Sequence, residues 1–99
     1  MSEPYEPPIA IAKIRSIIQD GRLVILPHCR LRMSKRGVYD EDILRVLNEN
    51  GVINSDPELD EEHQKYKYRV DGYDIEGEKL SVIVNIVEEN WVIVTITVF

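Results

Sequence analysis

Leu80-Ser81-Val82-Ile83-Val84-Asn85-Ile86-Val87-Glu88-Glu89-Asn90-Trp91-Val92-Ile93-Val94-Thr95-Ile96-Thr97-Val98-Phe99 decides the fold. Two runs of β-branched residues flank Glu88-Glu89-Asn90, which predicts two strands joined by a tight hairpin. Just upstream, Lys65, Lys67 and Arg69 alternate with Tyr66, Tyr68 and Val70, the period of a third strand. Asp71-Gly72 and Glu76-Gly77 bracket the link between them, a turn or a bulged connection.

The N-terminal half has helical spacing instead. Residues 1–8 hold three prolines and read as a flexible or extended lead-in to one domain over residues 9–99. Ile11, Ile14, Ile17 and Ile18 predict a first helix over Ile9–Gln19, closed by Asp20-Gly21. Leu23–Leu26 is either a brief strand or a buried link. Pro27 opens a second helix that Gly37 ends, and Asp40-Glu41-Asp42 caps a third. The third helix carries Ile43, Leu44, Val46 and Leu47 on its apolar side and stops at Asn50-Gly51. Helices followed by a meander predict an α+β domain, with the N-terminal helices packed on one face of an antiparallel β-sheet.

Strict alternation assigns Tyr66, Tyr68, Val70, Leu80, Val82, Val84, Ile86, Val92, Val94, Ile96 and Val98 to the covered face. The free face then carries Lys65, Lys67, Arg69, Ser81, Asn85, Thr95 and Thr97, with Ile83, Val87 and Trp91 among them. Such a face can bind phosphate, or its cations can simply solubilise the strand and discourage edge pairing.

Composition narrows the function. At 99 residues, 43% hydrophobic and 30% charged, the chain suits one globular domain. No apolar run approaches the ~20 residues of a membrane span, and Met1–Tyr5 lacks a signal-peptide pattern, so a cytoplasmic location is expected. One cysteine, Cys29, excludes an internal disulfide and a cysteine-based zinc cluster. The two histidines, His28 and His63, are far apart in sequence and no metal-ligand motif occurs, so neither metal nor cofactor is called for. The net charge of −6 argues against generic nucleic-acid binding. Between Ile11 and Arg36, however, seven Lys/Arg face one acid, a local net of +6. Acid concentrates elsewhere, with five acids in the seven residues Asp56–Glu62, expected to be a solvated loop.

Within the basic region, a helix over His28–Arg36 places His28, Arg32 and Arg36 on successive turns of one face. Lys35 lies on the other flank of His28, and Cys29 and Met33 form the adjoining apolar stripe. An imidazole can donate or accept a proton near neutral pH, and guanidinium groups can hold a phosphate. The residues thus describe an anion-binding domain with one candidate acid/base histidine.

The pattern His28-x-Arg30-x-Arg32-Met33-x-x-Arg36-Gly37-Val38, followed by Asp42-Ile43 and Val46-Leu47, resembles a bacterial family known as domain of unknown function 4258. Its later signature is matched by Tyr66–Val70, Gly72 and Leu80–Thr97. That family is in turn similar to the MqsR and RelE-like toxins of bacterial toxin–antitoxin pairs. The resemblance implies N-terminal helices on an antiparallel sheet, metal-independent cleavage of messenger RNA, and a partner antitoxin, with or without a zinc finger, that blocks the active surface. Cleavage by attack of the ribose 2′-oxygen needs a base, an acid and cations. His28, Arg32, Arg36, Lys67 and Arg69 are the expected catalytic set, and Arg30, Lys35, Lys65, Asn85 and Thr95 the expected RNA contacts. The net charge and the acidic loop motivate a second expectation, a non-catalytic binding protein such as an antitoxin, an immunity protein or a degenerate toxin.

Overall fold

A computed structural model describes residues 4–62 and 64–99; His63 lies outside them. The elements run α1 (Pro7–Asp20), β1 (Arg22–Ile25), α2 (Pro27–Arg36), α3 (Asp40–Arg45), β2 (Glu58–Asp60), β3 (Lys65–Tyr73), β4 (Lys79–Val87) and β5 (Val92–Val98). A π-helical turn, Val46–Asn50, extends α3, and a 3-10 turn, Glu88–Asn90, joins β4 to β5. The α+β class and the helix-then-meander order are as expected.

Helix α1 begins inside the expected lead-in. Two prolines suit the first helical positions, where an amide hydrogen has no intrahelical partner. Tyr5 is not loose either: its side chain is buried, its amide donates to the Tyr68 hydroxyl at 2.9 Å, and its own hydroxyl donates to Glu88.

The sheet order is β1-β5-β4-β3-β2, and it is mixed where an antiparallel sheet was expected. Strand β1 runs parallel to β5, from Arg22 beside Val92 to Ile25 beside Thr95. Alternation in a sequence marks a strand but not its direction, and β5 offers β1 an otherwise bare edge. Strand β2 falls within the expected acidic loop. It pairs with β3 in a register that sets Glu58 opposite Lys67 and Asp60 opposite Lys65, so that acids of one strand stand across from bases of the other.

One irregularity redraws the faces. The β4–β5 register passes from Ile83 opposite Thr97 to Val84 opposite Thr95, leaving Ile96 as an extra residue. One extra residue inverts every side chain beyond it. Ile93 and Thr95 therefore lie on the helix-covered face and are fully buried, while Val92 and Val94 join the open face. Strict alternation had assigned Val92, Val94 and Thr95 the other way round.

Beneath the helices the core combines Ile14 and Ile17 of α1, Cys29 and Met33 of α2, and Ile43, Val46 and Leu47 with the inward strand residues Tyr68, Val70, Val82, Val84 and Ile86. Leu44, expected among them, is 38% exposed. Gly51 and Gly72 let the π-turn lie against β3: a Cβ at Gly72 would overlap the Asn50 side chain, and one at Gly51 the Val46 carbonyl. Asn50 then acts as a substitute strand, donating to the Tyr73 carbonyl at 2.9 Å and accepting from its amide at 3.0 Å.

Candidate functional site

Helix α2 forms where Pro27 supplies a preset first turn and Gly37, at φ 68°, ends it in the left-handed conformation. Lys35 and Arg36 in its last turn complement the helix dipole. Cys29 and Met33, one turn apart, anchor it to the core, and burial pushes the Cys29 thiol up from its ordinary value.

The anchored helix lies along β5 beyond the point where β1 stops. Phe99 exchanges both backbone hydrogen bonds with Ser81 of β4, which turns the polar groups of Val98 toward the helix. Arg32 takes the place of the missing strand: its Nε donates to the Val98 carbonyl at 2.6 Å. That bond fixes one side of the guanidinium and leaves its two terminal nitrogens without a partner among the described residues. Beside it, His28, Leu31, Arg32 and Lys35 line a shallow groove of about 90 Å³. His28, Lys35 and Arg36 are exposed, and none makes an ion pair with a described residue. Arg30 points to the other flank and is bonded to Asp40, which holds its pKa above the ordinary value.

Lys67 and Arg69 are not part of this groove. They stand on β3, separated from β5 by β4, so two strand spacings, roughly 10 Å, lie between the strand α2 touches and theirs. The strand cations are also largely answered by acids. Lys65 pairs with Glu89 at 2.7 Å, drawing that carboxylate below its usual range. Arg69 donates to Asp71 at 2.8 Å and lies 4.7 Å from the centre of the Phe99 ring. Burial works against ionised Asp71, but hydrogen bonds from Ser81 and Arg69 prevail and its pKa is lowered. Of the three side chains, Lys67 alone makes no hydrogen bond or ion pair with a described residue. Asn85 is on the open face but nearly buried, its amide donating to the Tyr66 carbonyl at 2.9 Å. Thr95, placed by the bulge beneath the helices, is not available to an RNA on that face. Trp91 packs against the core and donates its indole N–H to Asp20, tying the hairpin turn to the end of α1.

A second concavity was not anticipated from the sequence. The loop before β2 borders the open face, and Asp56, Glu58, Lys67, Arg69, Ile83, Ile96, Thr97 and Phe99 help line a basin of about 380 Å³. Its sequence signal lay in the acidic run, where Glu58 and Asp60 alternate about Leu59 just as Lys65 and Lys67 do about Tyr66. Among the described residues no group of three or more His, Cys, Asp or Glu is arranged to hold a metal, and no helix is long and apolar enough to cross a membrane.

No curated protein and no solved structure matches the chain. A family model does, from the end of β1 through β5, including all of α2, the α2 groove and every residue named in the basin except Phe99. With residues 25–98 matched, most of its length, the chain belongs to the family described as Domain of unknown function (DUF4258).

Proposed function

We propose that this protein is a metal-independent endoribonuclease of the toxin–antitoxin kind, acting at the exposed flank of α2. The observation that carries this reading is His28 beside Arg32 and Lys35, with Arg36 farther along the same helix, cations without acidic partners among the described residues, in a chain of net charge −6. Clustered unneutralised charge on such a chain suits an anionic substrate. In the reaction the ribose 2′-hydroxyl loses its proton to a base as its oxygen bonds to phosphorus. The P–O5′ bond breaks and an acid protonates the departing oxygen, leaving a 2′,3′-cyclic phosphate and a 5′-hydroxyl. His28 serves as the acid or the base, a role typically worth about 10²–10⁴-fold. Arg32, held by Val98, presents two nitrogens to the phosphorane, and Lys35 and Arg36 add charge. Lys67 and Arg69 contact the strand farther along rather than the scissile phosphate. An antitoxin is the partner this reading requires.

Inducible expression, with growth and RNA integrity followed, tests it. The parent should arrest growth and degrade RNA, and His28→Ala and Arg32→Ala should each relieve both. Variants as toxic as the parent would overturn the site. A second reading, a non-catalytic binding module, is favoured by the neutralisation of Lys65 and Arg69 and by the acidic β2 edge. Purified protein that leaves several RNAs intact at low salt would select it.

A further inference from the structure

We propose that the basin on the open sheet face is a pocket for an unpaired guanine base. The proposal rests on the RNA-processing reading above, from which the nucleotide class is taken; the base itself is chosen by the basin's chemistry. Glu58 and Lys67 stand opposite one another across the β2–β3 ladder, fixed by register, and both line the cavity. Neither side chain forms an ion pair or hydrogen bond with a described residue, and the same holds for the Asp56 side chain on the neighbouring loop. A carboxylate acceptor beside an ammonium donor is a pattern that selects among bases. Guanine alone presents two adjacent donors, N1–H and the 2-amino group, with an acceptor, O6, next to them on the same edge. Adenine places an acceptor at N1, uracil has a single ring N–H between two carbonyls, and cytosine has a single amino donor beside acceptors. A carboxylate facing adenine's N1 would meet a lone pair instead of a proton.

The rest of the basin suits a flat ring. Ile83 and Ile96 provide apolar surface, and Ile96 is there because the β-bulge inserts it. The Arg69 guanidinium, laid on the Phe99 ring, offers a planar cation on which a base can stack. The volume of about 380 Å³ lies at the lower end of the range for small-ligand sites. The α2 groove lies beyond β5, so a bound guanine would sit apart from the cleaved bond and act in sequence selection.

The test is titration of the intact protein with GMP, IMP, AMP, CMP and UMP, and with inorganic phosphate, followed by NMR chemical-shift changes. GMP should bind roughly tenfold or more tighter than AMP, because unmet hydrogen-bonding groups reject the wrong edge. IMP, which lacks the 2-amino group, should fall between them. Glu58→Gln should abolish the preference while the circular dichroism spectrum is retained, and Asp56→Asn separates the two carboxylates should Glu58→Gln unfold. Equal affinity for all nucleotides, binding that merely follows inorganic phosphate, no binding, or a preference surviving both substitutions would overturn the pocket. Guanine selectivity without RNA cleavage supports the pocket and removes only the nuclease reading. Cleavage without guanine selectivity removes only the pocket.

Discussion

Replacing Thr95 by valine tests the bulge-inverted face most directly. Thr95 is fully buried on the helix-covered side, and its hydroxyl oxygen has no hydrogen-bond partner among the described residues. Valine has nearly the same shape, so the substitution removes a desolvated polar group with little change in packing. An unsatisfied buried hydroxyl costs about 1–3 kcal/mol, and removing it should stabilise the domain by about 1–2 kcal/mol. For a domain of this size that amounts to roughly 4–8 °C in Tm per kcal/mol. Urea unfolding followed by Trp91 fluorescence measures the gain, and Thr97→Val is the control. Thr97 lies on the open face opposite Ile83 and is partly exposed, so its substitution should change stability by less than about 0.5 kcal/mol. A Thr95→Val variant that is less stable than the parent, or indistinguishable from Thr97→Val, would refute the inverted face.

Three other outcomes are expected. Asp42 is buried and accepts from the Tyr39 amide at 2.8 Å and the Ile75 amide at 3.1 Å, so it caps α3 and pins the β3–β4 turn; Asp42→Ala should cost about 2 kcal/mol in denaturant unfolding. Hydrogen bonds from Lys13 and then Tyr5 hold Glu88 below the usual carboxylate range. With the folded value below the unfolded one, its contribution is present above the unfolded value and lost as pH falls through the folded one. A Glu88→Gln variant should therefore lose stability against the parent at neutral pH and converge with it in acid. Finally, the buried Cys29 thiol, with its raised pKa, should resist alkylation in native protein and react once denaturant is added; rapid native labelling would contradict the anchoring of α2.

What the sequence determined by itself was local. Pro27 and Gly37 bounded α2, Cys29 and Met33 named its buried stripe, and His28, Arg32, Lys35 and Arg36 shared a flank, because helical periodicity and end chemistry act within a few residues. The three long strands were legible for the same reason. Short β2 was not, since its evidence is the complementary charge of a partner strand. Tertiary structure decided the rest. The direction of β1 depends on which edge was left bare, and the position of Ile96 in the bulge depends on how β5 meets β4. That single residue exchanged the faces of Thr95 and Val94. The separation of the α2 cations from Lys67 and Arg69 has the same origin. It is set by strand order, a pairing between segments distant in the chain that no local pattern of side chains encodes.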